Sequence, residues 1–133
     1  MTRYLRALPG ALLMACSSGP EEENMEPQVN CTVSATTVFE PAGRIVRGTG
    51  TLTCDAPAAL SLKVCLYSQG LGQTSWGAPL QCVSMAGSAR TTLSAEAAIA
   101  IGPGAAKRYR TVVEAQVNSE NQPLEESTAI TAP

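Results

Sequence analysis

The chain has 133 residues, a formal net charge of −2, 44% hydrophobic residues and only 4% aromatics. This length allows one small domain, and the acidic balance excludes a nucleic-acid partner, which needs clustered lysine and arginine. With no histidine in the sequence, Ser-His-Asp and Cys-His catalysis are excluded too.

The first fifteen residues carry Arg3 and Arg6, then an apolar run from Leu5 to Ala15 interrupted by Pro9 and Gly10. A positive start followed by a short apolar stretch describes an export signal; a membrane-spanning helix needs about twenty apolar residues. The run ends at Leu13-Met14-Ala15-Cys16. This segment resembles the lipobox of bacterial lipoproteins at Leu13, Ala15 and Cys16. The resemblance implies cleavage after Ala15, diacylglyceryl transfer to the Cys16 thiol and acylation of the new N-terminus. With Ser17 rather than an acidic residue next, it also implies delivery to the outer membrane of a diderm bacterium. Removing residues 1–15 leaves seven basic and eleven acidic residues, a net −4.

Residues 16–28 form the lipidated cysteine and a linker. Pro20, Pro27 and the glutamates Glu21, Glu22, Glu23 and Glu26 leave too little apolar surface to fold. Twelve such residues make a tether with a reach of ~20 Å. Consecutive glutamates lack the spaced ligands and turn glycine of a calcium loop.

From residue 29 to 133 the pattern alternates with period two between turn residues, which predicts an all-β domain. The first strand aligns Val29, Cys31, Val33 and Ala35. After a turn at Glu40-Pro41-Ala42-Gly43, the second aligns Val46, Gly48, Gly50, Leu52 and Cys54. Pairing the two as a hairpin sets Cys31 opposite Cys54, Val33 opposite Leu52 and Phe39 opposite Val46. A third strand, Leu60 to Ser68, turns Leu60, Leu62, Val64 and Leu66 inward, and pairs with Leu80 to Met85 so that Cys65 meets Cys82 and Tyr67 meets Leu80. The loop between them, Gln69 to Pro79, holds the single tryptophan, Trp76. Thr91 to Ile101 and Arg108 to Asn118 continue the alternation, with a helix over Ser94 to Ala100 as the alternative to strand, and a short strand near Glu125 to Thr131 closes the list. Six or seven strands result.

With Cys16 lipidated, four cysteines remain. Gaps of 22, 10 and 16 residues, with no Cys-x-x-Cys pair and no histidine, are poor zinc spacing. In an exported chain they point to disulfides, and the hairpin registers favour Cys31 with Cys54 and Cys65 with Cys82. No metal site and no cofactor is predicted. Asn30-Cys31-Thr32 spells a glycosylation sequon that bacterial export does not normally use.

Around Tyr109 a Pro103-Gly104 turn precedes Lys107-Arg108-Tyr109-Arg110 and an alternating strand to Val117. This resembles the penultimate strand of immunoglobulin-like and fibronectin type III sandwiches. The resemblance implies a small immunoglobulin-like β-sandwich in which the Tyr109 hydroxyl bonds backbone upstream.

Nothing in the sequence assembles a catalytic site. Lys63 and Lys107 are the only lysines and neither completes a Ser-x-x-Lys motif, phosphate-loop glycines are absent, and Glu125 and Glu126 sit in a solvated tail. A non-enzymatic, membrane-anchored binding or structural module is expected, with an envelope protein or glycan as partner; an accessory subunit of an envelope assembly is the alternative. Trp76 with Tyr67 is the candidate ligand contact, the competing role for Trp76 being to cap one end of the core. Lys107-Arg108-Arg110 reads as a solvated strand end.

Overall fold

A computed structural model describes residues 28–133. Seven strands occur among them: β1 (Cys31–Glu40), β2 (Ile45–Gly70), β3 (Gln81–Ala100), β4 (Lys107–Val117), β5 (Glu120–Asn121), β6 (Glu125–Glu126) and β7 (Ile130–Ala132). All join one antiparallel sheet. The all-β expectation holds, and Ser94 to Ala100 is strand.

β2 organises the sheet. Along one edge it pairs with β3 over nearly its whole length, from Ile45 opposite Ala100 to Leu66 opposite Gln81. Along its other edge the first half pairs with β1 and the second half with β4. The short strands β5, β6 and β7 line the far edge of β4.

Both expected hairpin registers are present: Cys31 opposite Cys54, Val33 opposite Leu52, Phe39 opposite Val46, and Cys65 opposite Cys82. The four cysteines form the disulfides Cys31–Cys54 and Cys65–Cys82, so none remains for zinc.

The immunoglobulin-like sandwich is corrected to one continuous sheet. Sequence reading ends one strand at Cys54 and starts another at Leu60, treating the Pro57 region as a connection. The structure carries β2 straight through. Pairing with β3 skips from Thr53 to Ala58 and shifts again before Leu60, so Pro57, which has no N–H to give, falls where no ladder bond is required. Opposite it, β3 likewise runs on through Gly87 to Thr92.

At these irregularities the sheet folds over and its two halves face each other. Gly50 stands against Val64 and Val113, and Gly48 against Leu66 and Thr111; both positions lack room for a Cβ. The core between the halves is aliphatic, built from Val46, Leu52, Leu62, Val64, Leu66, Leu93 and Val113 with Tyr109 at one end. Thr111, fully buried, ties the halves: its hydroxyl donates to Thr36 O at 3.0 Å and lies 2.6 Å from Thr37 Oγ1, which in turn meets Ser127 Oγ at 2.7 Å.

The tyrosine corner does not form. Tyr109 is 5% exposed, yet its hydroxyl makes no hydrogen bond to backbone among the described residues. Its ring lines a cleft with Ser68, Leu80, Ile99 and Pro133.

Candidate functional site

Alternation along β2 and β4 builds one outer face. Inward Leu62, Val64 and Leu66 alternate with Lys63, Cys65, Tyr67 and Gln69 on β2, and inward Tyr109, Thr111 and Val113 alternate with Arg108, Arg110 and Val112 on β4. The register then sets Cys65 beside Val112, Tyr67 beside Arg110 and Gln69 beside Arg108. Successive side chains of a strand point to opposite faces, so these groups share a surface.

The loop 71–80 returns to that surface because both of its ends are pinned. Gln73 N–H donates to Gly70 O at 3.1 Å while its side-chain Oε1 accepts from Gly70 N–H at 2.8 Å. Gly72 takes φ +89°, a left-handed conformation open to glycine. At the other end Leu80 N–H donates to Leu66 O at 2.8 Å, next to the expected pairing of Tyr67 with Leu80.

Trp76 is half-buried and lies under two arginines. The guanidinium carbon of Arg110 is 4.6 Å from the ring centroid and that of Arg108 is 5.7 Å away. Each cation is also held by a neighbour: Arg108 Nη1 donates to Gln69 Oε1 at 2.9 Å, and Arg110 Nη1 donates to Glu126 Oε1 at 3.0 Å. Arg110 Nε is buried without a hydrogen-bond partner; the negative face of the indole is what compensates that cation. Among the described residues the core cluster does not include Trp76, so the ring covers the outer face and does not cap the core.

Tyr67 is half-buried in the same strand pair as Arg110. Sequence reasoning missed Arg108 and Arg110, which it left as a solvated strand end. Their i, i+2 spacing places both on one face of a strand, but the return path of the Trp76 loop is what brings the ring to them.

Further along the same strands a groove of ≈ 680 Å³ crosses Ser61–Lys63, Ser84–Ala86 and Glu114–Gln116 and is walled by Asn121, Gln122 and Leu124. No cluster of three or more side chains able to hold a metal ion occurs among the described residues.

No family model matches the chain. No curated protein matches it either. Among solved structures, the solution structure of CsgH from R. palustris is similar, with 19% identity, coverage of 74% of this chain and 90% of that chain, and a TM-score of 0.42. Cys16, the expected lipidation site, lies outside the described residues.

Proposed function

We propose that this chain is an exported lipoprotein, held in the membrane by acyl chains on Cys16, whose folded part is a non-catalytic module binding anionic glycan of the cell envelope at Trp76, Arg108 and Arg110, with Tyr67 alongside. The observation that carries this reading is the pair of guanidinium groups 4.6 and 5.7 Å from the Trp76 ring centroid. A guanidinium presents a planar fork of donors that matches a carboxylate. Here one nitrogen of each is already fixed by Gln69 or Glu126, so less side-chain freedom is lost when the remaining donors bind. The indole offers an apolar surface beside them. An acidic sugar, with a carboxylate and an apolar ring face, satisfies both. The two disulfides fit an oxidising compartment outside the cytoplasm.

Trp76 is the sole tryptophan, which makes fluorescence a reporter of this surface. Full-length lipoprotein in detergent micelles is titrated with polygalacturonate and with uncharged dextran. The expected result is a saturable spectral change with the acidic polymer alone, weakened about tenfold by Arg110→Gln, the cost of one charge-assisted contact, and weakened by high salt. An unchanged spectrum with both polymers overturns the glycan reading. The intact mass of the membrane-extracted chain tests the anchor: a mass without acyl chains on Cys16 removes it.

A further inference from the structure

The inward rows of side chains end differently at the two ends of the folded sheet. Near the bend they end in buried apolar residues, Leu60 on β2 and Val117 on β4. At the opposite end, alternation carries β2 from Leu62, Val64 and Leu66 to Ser68, and β4 from Val113 and Thr111 to Tyr109 and Lys107. Ser68 stands opposite Tyr109 in the ladder. From the facing half β3 brings Ile99, with Ile101 just past its end. A serine, a phenol and an ammonium therefore close an otherwise aliphatic core at this end.

These groups surround a cleft of ≈ 450 Å³ whose apolar walls are Leu80, Ile99 and Ile101. Sites for small molecules span about 300–1,000 Å³. Leu80 is 46% exposed, an apolar side chain left uncovered in the cleft. Tyr109 is buried except where it lines the cleft, and its hydroxyl, without a hydrogen bond among the described residues, is not among the fully enclosed unpartnered atoms, so it opens into that space. No acidic side chain lines the cleft. Pro133 O is taken by Arg44 Nη2 at 2.6 Å, and the same guanidinium holds Ile101 O at 3.2 Å and Gly102 O at 3.1 Å, which fixes the rim. Lys107, also lining the cleft, pairs with no carboxylate among the described residues.

We propose that this cleft binds a small amphipathic carboxylate, an acyl anion whose head meets Lys107 and the Tyr109 hydroxyl and whose chain lies along Leu80, Ile99 and Ile101. One ammonium matches one negative charge, and the phenol O–H donates to the same carboxylate as a charge-assisted bond. A cation finds no acidic side chain here. A bare inorganic anion leaves the three apolar walls in water, whereas an acyl chain covers them. Lys107 and Tyr109 alternate with Arg108 and Arg110 along β4, so the cleft lies on the opposite face of the strand from Trp76, and either site can exist without the other.

The sequence supplies its own reporters, because it has four isoleucines: Ile99 and Ile101 line the cleft, and Ile45 and Ile130 do not. Full-length chain in zwitterionic lipid nanodiscs, isotope-labelled at the isoleucine δ1 methyl groups, is titrated with hexanoate and with its uncharged counterpart hexanamide while methyl NMR spectra are recorded. The expected result is a saturable shift of the Ile99 and Ile101 methyls with hexanoate, weakened about tenfold with hexanamide and about tenfold in Tyr109→Phe and in Lys107→Gln, the loss of one charge-assisted contact. Arg110→Gln, on the other face of β4, binds hexanoate as the parent chain does. Unmoved Ile99 and Ile101 methyls, equal shifts at all four isoleucines, or hexanamide binding as well as hexanoate overturns the proposal. Parent-like hexanoate binding in either Tyr109→Phe or Lys107→Gln overturns it too, as does its loss in Arg110→Gln.

Discussion

Gly50 shows how much of this fold depends on a missing methyl group. A Cβ built there would stand 2.6 Å from a Val64 methyl and 2.7 Å from a Val113 methyl, closer than carbon atoms approach. Gly50→Ala therefore pushes the two halves of the sheet apart, and the expected loss is about 1–3 kcal/mol, the range of overpacked cores, read as a lower midpoint in urea. Tyr109 makes a different kind of claim. Its burial pushes the phenol above its ordinary pKa, an effect partly offset by the nearby Arg44 cation. The unfolded chain releases this proton near pH 10, the folded chain only at higher pH. From about pH 10 upward the unfolded state thus binds fewer protons, and stability falls as pH rises. Below that window the group contributes no pH dependence. Tyr109→Phe is expected to flatten the alkaline arm of a stability–pH profile while leaving the neutral region parallel to that of the parent chain.

At the scale of elements, the disulfides and the long strands govern behaviour. Cys65–Cys82 closes a separation of 17 residues around the Trp76 loop, and by restricting the unfolded chain it contributes about 3 kcal/mol. Replacing both cysteines by alanine is expected to lower the urea-derived stability by about that amount and to raise amide exchange across Gln81 to Ala86 before it does so in β1. Hairpin registers were legible in the sequence because period-two alternation and two cysteine pairs agree on them independently. What was not legible is that β2 and β3 continue through Pro57 and through Gly87 to Thr92. Turn-forming residues read as breaks, and one sequence does not distinguish a turn from a bulge that the neighbouring ladder spans. The outer face was half legible: Trp76 and Tyr67 stand out as aromatics in an aromatic-poor chain, whereas the role of Arg108 and Arg110 depends on where a ten-residue loop lands.

For the whole molecule, β2 lies at the centre of both halves of the sheet, so neither half has a strand set of its own and the fold is expected to unfold as one cooperative unit. The disulfide Cys31–Cys54 also has a mechanical meaning. A pull applied on the N-terminal side of β1 meets the hydrogen bonds between Asn30 and Asp55 and then, at Cys31, the covalent bridge that passes it directly to Cys54 in the central strand. β1 is thereby taken out of the load path: its backbone ladder is not peeled open from its N-terminal end, and the load is borne by the strand that runs through both halves of the sheet.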